Sequence, residues 1–219
     1  MGIYSFYDKI DVGDLYMEFY EWLNELFYGM DAFVFGLTND LLNSCPWFSH
    51  VARFISYFGD HGYFFIALVV VLCIFRKTRK IGVTLAIGMI IGVLVNNVFL
   101  KNLIARPRPY DTVSLFKDYW LAHSNVLMNS YSFPSGHTTM ASVIGVGLFL
   151  TVNKKFRWAF LLIPLLMGWS RIALFVHYPS DVLFGLIVGA GSMVGAYFLS
   201  KLLFKWKLAQ DLTSGNSLF

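Results

Sequence analysis

The chain has 219 residues, 57% of them hydrophobic and only 14% charged, with a mean hydropathy of +0.61. This excludes an ordinary soluble domain and describes an integral membrane protein with room for about five or six spans of about 20 apolar residues each. The net charge of +4 does not indicate a nucleic-acid partner, because the basic residues are scattered in short loops between apolar runs and fit membrane orientation better.

The first thirty residues carry Asp8, Asp11, Asp14, Glu18, Glu21 and Glu25, where a signal peptide needs a basic region and an apolar stretch, so the segment is expected to be retained. From Leu15 to Phe27, apolar Leu15, Tyr16, Phe19, Trp22, Leu23 and Leu26 recur at helical spacing opposite Glu18, Glu21 and Glu25. The pattern predicts an amphipathic helix at the membrane interface, although its acidic face suits anionic lipid poorly. Residues 28–57 are interrupted by Asp31, Asp40, Pro46 and Arg53. They read either as one imperfect span with a short helix or as two re-entrant or interfacial helices. Clear apolar spans follow at 61–75, 81–100, 136–153 and 182–200; a fifth, 158–176, has Arg171 as its only charge. Cys45 and Cys73 lack metal-ligand spacing and read as small buried hydrophobes.

Orientation follows from the basic loops. Arg76, Lys77, Arg79 and Lys80, then Lys154, Lys155 and Arg157, then Lys201, Lys205 and Lys207 fall on one side by parity. The positive-inside rule makes that side cytoplasmic, with the C-terminus inside. Residues 101–134 and 176–181 then share the opposite face. Their own basic residues Lys101, Arg106, Arg108 and Lys117 call for something anionic to hold them there.

Three polar clusters meet on that outer face. In "KNLIARPRPYD", 101–111, Pro107 and Pro109 end the apolar helix and would hold Arg106 and Arg108 at the membrane surface, where a simple basic flank is an equally good reading. In "YSFPSGHTTMAS", 131–142, a Pro-Ser-Gly turn opens an apolar helix. The N–H groups of Ser135, Gly136 and His137 would point outward at the positive end of its dipole, as an anion site, unless Ser135 is an ordinary cap. In "SRIALFVHYPSD", 170–181, Pro179 starts a helix whose first turn holds Asp181, within reach of one imidazole nitrogen of His177. Together they supply cations, backbone donors and two histidines, a set suited to phosphoryl transfer. A divalent metal on the histidines and Asp181 is disfavoured by Lys101, Arg108 and Arg171 nearby.

These residues resemble the motifs of the type 2 phosphatidic acid phosphatase superfamily, which also includes vanadium haloperoxidases. Lys101, six residues and Arg108-Pro109 match the first motif; Pro134 to His137 match the second; Ser170-Arg171, His177 and Asp181 match the third. The resemblance spans residues 58–203 and implies an all-α, polytopic helical bundle with the catalytic residues at one end. It implies His177 as nucleophile, forming a phosphohistidine, Asp181 as its orienter, and His137 as the acid for the leaving oxygen. Lys101, Arg108, Ser135, Gly136 and Arg171 would bind the phosphoryl group, with no metal and no cofactor. One domain is expected: 1–57 interfacial and first helical region, 58–203 catalytic core, 204–219 cytoplasmic tail.

The substrate class implied is a lipid phosphate entering from the bilayer of a cell membrane. Undecaprenyl diphosphate is favoured, with phosphatidic acid or phosphatidylglycerol phosphate as alternatives. Lipid phosphotransfer shares the first half-reaction. A transporter could also use intramembrane Arg and Asp, but the polar groups cluster at one end and no internal repeat is visible. The 110–130 segment, with Trp120 and His123, reads as a long outer loop able to contact substrate, or as plain surface. The sequence assigns no role to Arg106 and no oligomeric state.

Overall fold

The computed structural model describes residues 12–123, 127–152 and 155–214, with side chains from 19 and up to 205. Asp8, Asp11, Lys154, the side chains of Asp14, Glu18 and Lys207, most side chains of the 204–219 tail and all of residues 215–219 lie outside that description. The described residues are all helix, turn and coil, without a strand.

Helix α1 (Val12–Ser44) continues well past Phe27 and carries Asp31 and Asp40 within it, stopping just before Pro46, whose ring prevents the residue before it from continuing a helix. Helix α2 (Phe48–Tyr57) follows. A 3₁₀ turn, Asp60–Gly62, then redirects the chain through left-handed His61 (φ 54°) and Gly62 (φ 70°) into α3 (Tyr63–Ile74). Helix α4 (Arg79–Val93) passes through a π-helical segment, Leu94–Leu100, into α5 (Lys101–Ile104), which ends at left-handed Ala105. The expected 110–130 loop is instead largely two helices, α6 (Pro109–Thr112) and α7 (Ser114–His123). Pro109 starts α6, and Asp111 Oδ2 accepts from the Arg108 N–H at 3.1 Å, satisfying the helix entry. Helix α8 (Gly136–Thr151), a 3₁₀ turn, α9 (Leu162–Ala173) and α10 (Pro179–Ser214) complete the bundle.

Three runs, Phe48–Ile74, Arg79–Thr112 and Pro179–Lys205, have the length and apolarity to cross a membrane. Helix α8 is shorter and sits centrally: Ala141, Val143 and Ile144 pack with Phe65 and Val69 of α3, Leu85 of α4, Met167 of α9 and Met193 and Ala196 of α10. The outward faces expose Ile66, Val70, Ile90, Phe99, Leu165 and Phe198, which lipid accommodates and water does not. Cys45 and Cys73 are free and only half-buried, not enclosed as expected, because each stands near the end of a helix at the rim of the packing.

The helices alternate in direction, so the basic connections after α3, after α8 and late in α10 gather at one end. Thr84 of α4 donates to Ser200 of α10 at 3.0 Å, and Lys80 lies 5.9 Å from the Phe204 ring centroid. At the other end α1 is laid across the bundle: Leu23 packs with Ile104 and Phe133, Phe27 on Phe184, and Phe35 on Phe116, Phe175 and Tyr178.

Candidate active site

The end covered by α1 holds the residues of the three polar clusters. The connection from α9 to α10 turns at left-handed Phe175 (φ 52°), whose ring stacks on Phe116 with centroids 4.4 Å apart. A bulky residue is rarely held there without such packing. The turn delivers His177, which is 1% exposed, to the floor of a cavity of about 660 Å³. Lys101, Arg108, Gly136 and His137 line the same cavity, joined by Arg53, Asp60, Asn97 and Trp120. One wall, formed by Ile66, Met89, Val93 and Met140, is apolar.

Arg108 spans the floor. Its Nε donates to the Ser130 carbonyl at 2.8 Å and its Nη1 to the Val176 carbonyl at 3.0 Å, with Nη1 3.3 Å from His177 Nε2. Lys101 Nζ donates to the Tyr131 carbonyl at 3.0 Å. Arg171 is fully buried behind this layer; it donates to Ser56 Oγ and lies with its guanidinium carbon 5.9 Å from the Trp120 centroid. Burial first, then the charges of Arg108, Arg171 and Lys101, hold His177 well below the ordinary imidazole value, so the ring is neutral and its nitrogen lone pair is available.

Several expectations need correction. Arg106 and Arg108 are 1% and 2% exposed, not a surface flank, because left-handed Ala105 turns the chain inward before Pro107. Ser135 is completely buried and its N–H donates to the Asp181 carbonyl at 3.0 Å, so the anion-facing residues of the α8 turn are Gly136 and His137. Asp181 stands beside His177, but Oδ2 is 3.5 Å from Nδ1, too long for a hydrogen bond. The carboxylate is held elsewhere: Oδ2 accepts from the Tyr178 N–H at 2.9 Å and Oδ1 from Arg106 Nη1 at 2.6 Å. The 110–130 segment is no plain surface loop, since Trp120 is 1% exposed and lines the cavity together with Met128 and Ser130.

Sequence reasoning missed two carboxylates and a glycine contact. Asp31 of α1 accepts from Arg106 Nη2 at 3.0 Å and from the Ser180 N–H at 2.8 Å, and Arg106 Nε donates to Asn24 at 2.9 Å. The available signal was an acid inside an apolar helix, a costly placement that calls for a partner. Asp60, in the turn between α2 and α3, has Oδ1 3.1 Å from His137 Nε2 and Oδ2 3.3 Å from Arg53 Nη1. Gly59 makes that pairing sterically feasible, since a Cβ there would stand 2.5 Å from His137 Cδ2. The π segment of α4 also serves the site: Asn96 accepts from Thr139 Oγ1 at 3.0 Å and donates to the Pro134 carbonyl at 3.4 Å, fixing the turn before α8. π segments are often found where a helix must re-aim side chains.

Comparison with known proteins adds the family. A model of the PAP2 superfamily matches residues 77–205. An undecaprenyl-diphosphatase of Sulfolobus acidocaldarius is 33% identical over 163 residues, covering 74% of each chain. The undecaprenyl-diphosphatase BcrC of Bacillus subtilis is 31% identical over 161 residues, covering 70% of this chain and 72% of its own. The crystal structure of a transmembrane PAP2-type phosphatidylglycerolphosphate phosphatase from Bacillus subtilis superposes with a TM-score of 0.62 at 25% identity, over 89% of this chain and 94% of that one. A matching family model over most of the chain, relatives at this identity and a shared fold lead to one conclusion: the chain belongs to the PAP2 superfamily.

Proposed function

We propose that this PAP2 enzyme, a membrane lipid phosphatase, hydrolyses a diphosphate lipid of the undecaprenyl type through a phosphohistidine and without a metal. The observation that carries the mechanism is His177, buried and sharing one cavity with Lys101, Arg108 and His137. Nε2 of His177 attacks the terminal phosphorus while the bond to the bridging oxygen breaks, and His137 gives its proton to that oxygen. His137, now neutral, takes a proton from water, whose oxygen attacks the phosphohistidine; the N–P bond breaks and inorganic phosphate leaves. Lys101, Arg108, Arg171 and the N–H groups of Gly136 and His137 in the α8 turn oppose the charge on the equatorial oxygens, with Ser135, its N–H bonded to the Asp181 carbonyl, supporting that turn from behind. Asp181 stands 3.5 Å from Nδ1 of the attacking ring, where its charge opposes the one the ring gains on attack.

In the same reading the chain crosses a cell membrane five times, by α3, by α4 with α5, and by α8, α9 and α10, with the site on the outer face, α1 and α2 lying at that interface and the C-terminus inside. The basic end opposite the site supports this orientation. The apolar wall of Ile66, Met89, Val93 and Met140 supports a lipid tail leaving the cavity sideways. A diphosphate is favoured by the undecaprenyl-diphosphatase relatives; a glycerolipid phosphate is the second reading, favoured by the phosphatidylglycerolphosphate phosphatase fold.

The test is phosphate release in excess chelator from undecaprenyl diphosphate, phosphatidic acid and phosphatidylglycerol phosphate, with the His177→Ala protein as blank. Preference for the diphosphate is the expected result. Preference for a glycerolipid moves the protein to phospholipid metabolism; loss of activity that Mg²⁺ restores removes the metal-free mechanism; phosphate appearing only on an added alcohol makes it a phosphotransferase.

A further inference from the structure

Lys101 and Arg108 line the cavity with His177, where the transferred phosphoryl group must sit. Arg53 and Arg171 both stand over the Trp120 ring, at 5.7 and 5.9 Å, and of these two Arg53, on α2, is the one that lines the cavity. Its guanidinium meets one oxygen of Asp60 at 3.3 Å while the other oxygen of the same carboxylate meets His137 at 3.1 Å. Arg53 therefore lies on the side of the cavity from which His137 acts, the side of the departing group.

Resting on the reading above, we infer that Arg53 is a subsite for the second phosphate of a diphosphate lipid. The argument is one of charge. When a phosphomonoester is cleaved, the group beside His137 is an uncharged alcohol on an apolar chain, and a cation there contributes nothing to its departure. When a diphosphate is cleaved, the departing group is itself a phosphate anion, one bridging oxygen from the attacked phosphorus, and its charge grows as the P–O bond breaks. A guanidinium at that place stabilises the transition state for the second substrate and not for the first.

The contacts of Arg53 suit this role. Its side chain lines the cavity and is 30% exposed, and among the described residues its Nε and Nη2 make no hydrogen bond, leaving a planar pair of donors of the kind that grips phosphate. Its carbon stands 5.7 Å from the Trp120 centroid, which restrains the fork without consuming a donor. Asp60 opposes an anion. With His137 protonated, as it must be to act as the acid, the trio of Arg53, Asp60 and His137 nonetheless carries one net positive charge, which disappears once the proton has moved to the departing phosphate. Attraction is therefore strongest before cleavage and weakest after it, which favours product release. The cavity of about 660 Å³ falls within the range of whole-ligand sites, about 300–1,000 Å³, and leaves room for two phosphates and the start of a chain.

The test uses purified full-length protein, Arg53→Gln and Arg53→Lys variants, and two substrates with one tail, farnesyl diphosphate and farnesyl phosphate. A binding arm measures inhibition by methylenediphosphonate, whose P–C–P link cannot be cleaved, against methylphosphonate. We expect kcat/KM to fall at least about tenfold further on the diphosphate than on the monophosphate in Arg53→Gln, a difference of about 1.4 kcal/mol in transition-state binding, with Arg53→Lys intermediate. The wild type should bind methylenediphosphonate more tightly than methylphosphonate, and Arg53→Gln should lose that preference. Equal falls on both substrates would mean that Arg53 works only through Asp60 and His137, overturning the subsite. So would a wild type without preference for the diphosphonate. A wild type that prefers glycerolipid phosphates yet still favours methylenediphosphonate in an Arg53-dependent way would sink the undecaprenyl reading and leave the subsite standing.

Discussion

Each of the two histidines in the cavity faces a carboxylate, and what stands behind that carboxylate differs. Asp181, beside His177, is fully buried and tied to Arg106, which is tied in turn to Asp31 and Asn24 of α1. Asp60, beside His137, is 26% exposed and answered by one half-exposed arginine. The first arrangement is rigid and dry. It sets a fixed negative charge behind His177, as suits the nucleophile proposed there. The second is shallow and wet, as suits the proton donor and acceptor proposed at His137. In that reading the nucleophile needs position and the acid–base group needs access.

Ways to break this comparison rank by size. Removing the nucleophile should cost most: His177→Ala is expected to lower kcat by about four orders of magnitude or more while leaving detergent-extracted yield and helical circular dichroism unchanged. Asp181→Asn should lower kcat about a thousandfold and also lower the melting temperature, because Arg106 keeps its charge in a buried site with one partner fewer. Asp60→Asn should cost about a hundredfold with a poor leaving group and far less with p-nitrophenol, since only the step assisted by His137 is affected. Equal losses for both leaving groups would erase the distinction between the pairs.

The pH profile sharpens the comparison. His177 must be neutral to attack, and its value is held below the usual imidazole value of about 6.5. The acid limb of kcat/KM should therefore lie below that pH, and Lys101→Met, which removes one of the depressing charges, should move the limb upward. An unmoved limb would assign it to another group. The smallest effect expected is at Gly185, where an added Cβ would stand 2.8 Å from the Ser135 carbonyl. Gly185→Ala should shift the start of α8 by a fraction of an ångström and cost about tenfold in kcat with little change in KM.

How much of this the sequence made legible depended on distance along the chain. Lys101, Arg108, Gly136, His137, Arg171 and His177 were readable because each sits in a local pattern of turn, proline or helix start, and those patterns fix backbone geometry without help from elsewhere. The pairing of Asp181 was read as a direct hydrogen bond to His177 because the two are four residues apart. The bond goes instead to Arg106, 75 residues away, which no local pattern announces. Asp31 is visible in the sequence only as an interruption of an apolar run and Asp60 not at all, and their partners Arg106 and His137 lie 75 and 77 residues off. Helix α1 runs further than its periodicity shows because Asp31, which interrupts the apolar pattern, is answered by Arg106 and Ser180, while Asp40 is exposed.

The clasp between Asp31 and the start of α10 has a consequence for how the protein is made. The N–H of Ser180 reaches back 149 residues to Asp31, joining α10 to α1. Until α10 has emerged and docked, Arg106 lacks its Asp181 partner and Asp31 lacks Ser180. A ribosome-bound chain ending anywhere before α10 therefore holds most of the cations proposed to bind phosphate without the contacts that complete the proposed site, and competence arrives in a late event of assembly, when α10 meets α1.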